Sequence, residues 1–547
     1  MSSAGTANGA RADSGAPAGT AAPALSDALS VAAAAWMALR GGQSLERALE
    51  AALQSTAQST AQSTAQSTTQ STTQSTTQST TQSTTQSTAQ STAQSTAQST
   101  AQSTAQSTAQ STPRSAEEST RPPALPGAIA LAGARPPDGT HGRLAGAARD
   151  LAASAVRRAA KIEFILGRLA ARPPAPAVGA LLAVALAQLM ARSYTEFTLV
   201  DQAVRAARAQ PQTASAGFVN AVLRAFLRRR DALEAEAAAE PARQFNVPAW
   251  WLRRVEAEYG PRAHPLLRAQ LEEPPLILRV NGRRATVEQV LAQFQAQGLA
   301  ASRVGPWAVW LHDATPVERI PGFAAGLVSV QDAGAQLAGP LLDVADGMRV
   351  LDVCAAPGGK TAQLLELADC RVDAIELEPG RAQRITANLQ RLGFTAGQAR
   401  VVVADALVPA RYWDGTPYDR ILLDAPCTAS GVVRRHPDVV LLRRESDVVK
   451  LATQQAKLLQ TLWPLLAPAG RLLYVVCSVF AEEGRRQVSA FVRRQPGARR
   501  IRLPGDDPEG LQLLPCTTMA TAVAAQPDAT ALPVLHDGFF YALLEKT

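Results

Sequence analysis

Apolar residues return at helical spacing through the first half of the chain, over Asp27 to Leu53, Arg143 to Arg172, Val178 to Arg192, Thr198 to Ala207 and Ala216 to Arg230. Side chains three and four positions apart share a helix face, and in the last segment that face carries Phe218, Val222, Leu223 and Phe226. The run Ala177 to Ala187 is apolar all round yet too short to span a bilayer, so it reads as a buried helix. From about Phe245 the pattern changes: an extended Pro274 to Asn281, a helix-like Thr286 to Gln297 and an extended Ala308 to Leu311 describe a small α+β segment. From Met348 onward short β-branched runs alternate with helical patterns, as in a parallel sheet covered by helices on both faces.

Between the first two helical segments the triplet QST recurs fifteen times, every four residues from Gln54 to Thr112. It has no apolar stripe and many Ser and Thr that compete for their own backbone, so 54–120 is expected to be a disordered insertion. The division is then 1–53 and 121–235 for one helical domain, 240–330 for the α+β segment and 331–547 for the sheet domain.

Composition adds little to this and charge somewhat more. The chain is 46% hydrophobic but only 5% aromatic, which suits Ala/Leu helices. Its net charge of +8 suits a polyanionic partner. Nearly all the cations are Arg; Lys occurs only at 161, 360, 450, 457 and 546. The arginines at 228–230 read either as a solvated helix end or as an RNA-contacting patch. Cys354, Cys370, Cys427, Cys477 and Cys516 show no C-x-x-C spacing, which argues against zinc and disulfides and points to a reducing cytoplasm. Neither a signal peptide nor a membrane span is expected.

The sheet region opens on RVLDVCAAPGGKTAQLLEL, Arg349 to Leu367: a strand, a small-residue loop and a helix starting near Lys360. Such a turn lets backbone approach a ligand at a helix N-terminus. A Walker loop needs Gly where Cys354 stands, and Ala355 to Gly359 supplies no G-x-G-x-x-G. S-adenosylmethionine, which carries adenosine and a sulfonium but no phosphate, fits best, with Glu376 and Asp405 as acids at successive strand ends.

Two further strands end in chemistry. Ile421 to Leu423 leads into Asp424, Ala425, Pro426 and Cys427, and Leu472 to Val476 leads into Cys477. In a doubly wound sheet those strands are neighbours, which aims both thiols at one cleft. A thiolate adding to cytosine C6 makes C5 nucleophilic enough to take a methyl group. Asp424 stands where an acid would bond N3 and the exocyclic amine, and Lys360 where a cation would favour a thiolate. These residues do not say which cysteine attacks. Arg434, Arg435 and His436, with Arg443 and Arg444, would give the cleft a basic rim for phosphate, and a target base would have to be unstacked to reach it. Cys354 is read as a loop-packing residue contributing backbone, and Cys370 and Cys516 as structural.

At these residues the chain resembles the RNA cytosine-C5 methyltransferases, in their bacterial 16S rRNA branch. The likeness runs over nearly the whole length: GFVNAVLR (Gly217 to Arg224) in a domain similar to the NusB antitermination factor, SVQDAGAQ (Ser329 to Gln336), CAAPGGKT, LLDAPC, VRRHPD and DGFFYALL (Asp537 to Leu544). The resemblance implies an all-α NusB-like domain, a small α+β segment and a Rossmann-like methyltransferase domain. It implies S-adenosylmethionine held by Cys354, Ala355, Ala356, Pro357, Gly358, Gly359, Lys360, Glu376, Asp405 and Asp424. Cys477 becomes the nucleophile, Cys427 the aid to product release, and the product 5-methylcytidine in 16S rRNA, made by a monomer with no DNA partner. The chain departs from the pattern at Glu376, where Asp is usual, at Thr428-Ala429-Ser430 for Ser-x-Thr, and at Ala481-Glu482-Glu483-Gly484 for Pro-Glu-Glu-Asn. The QST insertion has no counterpart. Rival readings are a cytosine-C5 methyltransferase acting on tRNA or another rRNA site, and an inactive RNA-binding or assembly protein.

Overall fold

The computed structural model describes residues 24–59, 62, 139–209, 215–505, 510–516 and 532–547. Helices Leu25–Arg40, 45–59, Gly139–Val156, Ala159–Leu169, Pro176–Ala191, Glu196–Arg208 and Ser215–Ala238 form the first domain. Two expected helices are each broken in two. Asp27 to Leu53 is interrupted at Gly41–Gly42, where positive φ at Gly42 ends the first helix, and Arg143 to Arg172 is interrupted at Arg157–Arg158. Residues 54–59, the start of the QST repeat, continue a helix rather than opening a disordered segment; apart from Gln62, the rest of the repeat lies outside the described residues.

Helix Pro176–Ala191 is apolar on every side because it is the central one, with Leu181, Leu182, Val184 and Leu186 fully buried. Each such side chain contributes roughly 1.5–3 kcal/mol on burial. In Ser215–Ala238 the core face is Val219, Val222, Leu223 and Phe226, while Phe218 is 39% exposed. Phe218 lies one position off the buried stripe.

The middle segment is a four-stranded antiparallel sheet of β1 (Leu276–Val280), β2 (Ala301–Arg303), β3 (Ala308–Leu311) and β4 (Val328–Val330), in the order β2-β3-β1-β4. The helix Val287–Ala296 packs on it and starts at a capping box in which Thr286 and Gln289 satisfy each other's backbone amides. Arg279 of β1 is 1% exposed and makes a bidentate pair with Glu366 (2.8 and 2.9 Å) while donating to the Gly359 carbonyl at 2.7 Å. The small sheet is thereby tied to the helix that follows the CAAPGG loop.

The third domain is built on β5 (Arg349–Val353), β6 (Arg371–Glu376), β7 (Ala399–Val403), β8 (Tyr418–Asp424), β9 (Leu466–Val476), β10 (Ala498–Ile501), β11 (Leu511–Leu513) and β12 (Phe539–Lys546). Their order is β10-β12-β9-β8-β5-β6-β7, with β11 against β12. Strands β5 to β9 are parallel and β12 runs antiparallel to β9, so the sheet is mixed. The chain leaves β5 toward β6 and returns to β8 on its other side. Ligands bind at such a reversal, beyond the carboxyl ends of the strands.

The helical domain is held to the sheet domain by specific contacts. The Leu45 amide donates to Asp438 (3.0 Å), Arg384 pairs with Glu46 (3.0 Å), and Leu441 and Leu442 pack on the helical core.

Candidate functional site

Beyond β5 the chain enters Cys354 with φ of 60°, turns through Gly358 (φ 92°) and starts a helix at Gly359. A Cβ on Gly358 would meet the Ile385 backbone at 3.1 Å, so this position is confined to glycine by both conformation and space. Burial, reinforced by Asp424 and Glu376, pushes the Cys354 thiol up to about 12, which keeps it protonated and suits it to packing.

The turn aims Lys360 across the strand ends. Its ammonium lies 2.7 Å from Asp424, the last residue of β8, and 5.8 Å from the Phe539 ring centre. Burial opposes its charge, but Asp424 more than restores it, and the net shift is upward. Glu376, buried at the end of β6, accepts from the amides of Ala356 (3.3 Å) and Glu378 (3.1 Å), while Arg381 lies 3.5 Å from it. Asp405 is exposed beyond β7 and accepts from the Leu407 amide at 2.9 Å. Between these two acids the side chains of Leu377 and Val403 are 63% and 50% exposed. Sequence reading singled out neither, because an exposed aliphatic at the end of a strand carries no local signal.

Asp352, completely buried in β5, accepts a hydrogen bond from the Thr361 hydroxyl at 2.6 Å. Burial outweighs that bond and raises its pKa from 3.8 to about 7. Between those values the folded chain holds a proton that the unfolded chain has lost. Stability therefore falls as pH rises through this window, by on the order of 4 kcal/mol once the group is fully ionised. Asp352→Asn is expected to flatten the dependence of Tm on pH between 5 and 8 and to raise Tm at pH 8; parallel Tm curves for the two proteins would refute this.

The two cysteines meet. Cys427 follows β8 and Cys477 follows β9, these strands are neighbours, and the two Sγ atoms are 3.4 Å apart. The hydrogen bond to Cys477, together with burial, raises the Cys427 pKa well above the usual thiol value. Backbone contacts hold the loops together: the Gly431 amide donates to the Cys477 carbonyl at 2.9 Å and the Gly538 amide to the Gly431 carbonyl at 2.9 Å. A Cβ on Gly431 would lie 2.2 Å from the Gly538 carbonyl oxygen. Gly431→Ala must therefore displace backbone, with an expected cost of about 3 kcal/mol, visible as a lowered Tm; an unchanged Tm would mean that the loops yield freely.

The expected basic rim is not there as such. Arg434 is 1% exposed and pairs with Asp537, while Arg435 pairs with Asp537 and with Asp332 (3.0 Å). Arg443 donates to the carbonyls of Cys427 and Thr428, both at 3.2 Å. These cations brace the cysteine loops, which leaves exposed His436 and Arg444 as the rim's outward members. The arginines at 228–230 do not end a helix, since it continues to Ala238, and Arg230 lies over the Phe226 ring and pairs with Glu196 at 3.1 Å. Cys370 is buried, and the Cys516 thiol donates to the Val534 carbonyl at 2.9 Å. The Ala481–Gly484 departure closes normally, with the Gly484 amide bonding the Phe480 carbonyl at 3.3 Å. Sequence reading also missed Glu483, buried between the two cysteine loops, because nothing distinguishes it locally from the half-exposed Glu482.

Family models match in chain order: the NusB family over 135–228, an RsmF/B-like ferredoxin-like domain over 247–318, and 16S rRNA methyltransferase RsmB/F over 340–545. The ribosomal RNA small subunit methyltransferase B of Pseudomonas syringae pv. tomato is 38% identical over 417 residues, 73% of this chain and 89% of that protein. The chain belongs to the RsmB/F family of 16S rRNA methyltransferases. The Vibrio cholerae relative of the same name is also 38% identical, over 67% of this chain and 80% of its own. The crystal structure of PH0851 shares the fold, with a TM-score of 0.61 at 24% identity, covering 74% of this chain and 90% of that one. As an RsmB/F-type protein the chain is an S-adenosylmethionine-dependent RNA methyltransferase, and its cofactor is S-adenosylmethionine.

Proposed function

We propose that this enzyme methylates C5 of a cytosine in 16S rRNA through a transient bond between Cys477 and cytosine C6. The observation that carries the reading is the pair of thiols 3.4 Å apart beside the Lys360–Asp424 ion pair. No other described cysteine has both a thiol neighbour and an acid at hand.

The cleft suits the cofactor. Backbone of Cys354, Ala355, Ala356, Pro357, Gly358 and Gly359 lines one side; the carboxylates of Glu376 and Asp405 are acceptors for hydroxyl or amine groups; Leu377 and Val403 offer uncovered apolar faces for an adenine ring. When bound, S-adenosylmethionine supplies an electrophilic methyl group. Lys360 and Asp424 border this cleft and the thiols alike.

In this reading Asp424 accepts from the cytosine amine and passes to N3 the proton that the Cys477 thiol releases, so that N3 takes up the electron pair displaced through C5 and C4 as the Cys477 sulfur adds to C6. Lys360 keeps Asp424 oriented and supplies positive charge near the developing negative charge. Cys427, which holds its own proton tightly, donates its S–H to the Cys477 sulfur. That bond favours the attacking thiolate and, after methylation and loss of the C5 and N3 protons to water, the departing one. The helical domain, like NusB in fold, is read as the part that docks RNA.

The test is methyl transfer to unmodified 16S rRNA carrying tritium at cytosine C5. Tritium release matched to methylation at one rRNA position is expected. Methylation without tritium release would place the methyl elsewhere, and activity on tRNA alone would change the substrate.

A further inference from the structure

The thiol pair is not held by its strands alone. Glu483 is wholly buried, and one of its carboxylate oxygens accepts from the Thr428 amide (2.9 Å) and from Gln455 Nε2 (3.2 Å). The other accepts from the hydroxyls of Thr428 (2.5 Å) and Ser478 (2.5 Å). Thr428 is the residue after Cys427, and Ser478 is the residue after Cys477. The Ser430 hydroxyl completes the cluster, 2.9 Å from that of Ser478 and accepting from the Val479 amide at 3.0 Å. The Glu483 backbone is fixed as well, since the Tyr474 hydroxyl donates to its carbonyl at 2.6 Å.

A carboxylate buried this deeply is costly unless its oxygens are satisfied. Here they are satisfied by groups taken from both cysteine loops and from the helix Glu445–Leu462. We infer that Glu483 is a positioning residue that sets the separation of the two thiols, acting through Thr428 and Ser478 and touching no substrate. A carboxylate suits this task because it accepts from several donors at once, whereas an amide has one accepting oxygen. The inference rests on the proposed roles of the two cysteines.

The test separates geometry from catalysis. Diamide oxidises two neighbouring thiols to a disulfide, its N=N bond taking up the two protons and two electrons, so the rate of Cys427–Cys477 crosslinking reads their spacing without RNA or cofactor. Glu483→Ala is expected to crosslink about tenfold more slowly than the native protein, on the scale of one lost buried hydrogen bond. With RNA and cofactor it is expected to accumulate covalent complex although Cys427 is present. Glu483→Gln, which keeps one of the two accepting oxygens, is expected to crosslink at a rate between those of Glu483→Ala and the native protein.

A folded Glu483→Ala that crosslinks at the native rate overturns the inference. Should that variant fail to fold, the pair Thr428→Val with Ser478→Ala removes two of the acid's donors and is read the same way. Failure of the cysteine roles themselves has a different signature: Cys427→Ala with native Glu483 would then hold no RNA.

Discussion

Cys427→Ala is expected to remain covalently attached to its RNA through denaturing electrophoresis, whereas Cys477→Ala forms no such complex and loses turnover by about four orders of magnitude or more. The asymmetry follows from where each sulfur stands in the reaction. Without Cys477 nothing adds to C6, and C5 stays too weakly nucleophilic to be methylated. Without Cys427 addition still proceeds, but the sulfur that must leave has lost the S–H donor found 3.4 Å away. A thiolate expelled into a half-buried site without that donor is poorly stabilised, so the adduct persists. Complex from Cys477→Ala and none from Cys427→Ala would exchange the two roles.

Asp424→Asn is expected to lower kcat by about 10²- to 10³-fold and to suppress the adduct in a Cys427→Ala background. The amide cannot hold the positive charge of Lys360, whose ammonium lies 2.7 Å from the carboxylate and whose side chain is only 13% exposed. It also cannot carry a proton to N3, as the carboxyl group can. The loss therefore falls on addition to C6, before methyl transfer, and quantifying adduct in the double variant isolates that step. Undiminished adduct would place Asp424 after the addition, as a cofactor contact only.

Much of the architecture was legible in the chain. The run Val350 to Val353, the small-residue loop and the start of a helix at Gly359 lie where their pattern places them, because strand, turn and helix signals there are local and agree. Both cysteines were legible as residues following strands, and their meeting followed from strand adjacency in a doubly wound sheet. Arg434 and Arg435 were misjudged because charge in a sequence reads as surface. Their partners, Asp332 and Asp537, lie about a hundred residues away or more, and only folding brings them within reach. Phe218 was misplaced because an apolar residue next to a helix stripe is indistinguishable from one on it.

Sequence by itself determined the kinds of domain, the loop that suits S-adenosylmethionine, and the two strand ends that carry sulfur, since each depends on residue type and short spacing. Tertiary structure decided which charges are braces and which face outward, how far apart the thiols stand, and that Glu483 joins their loops. Those properties depend on groups distant in the chain sharing one small volume, where desolvation and hydrogen bonding to remote partners set their state, and no short pattern encodes such a meeting.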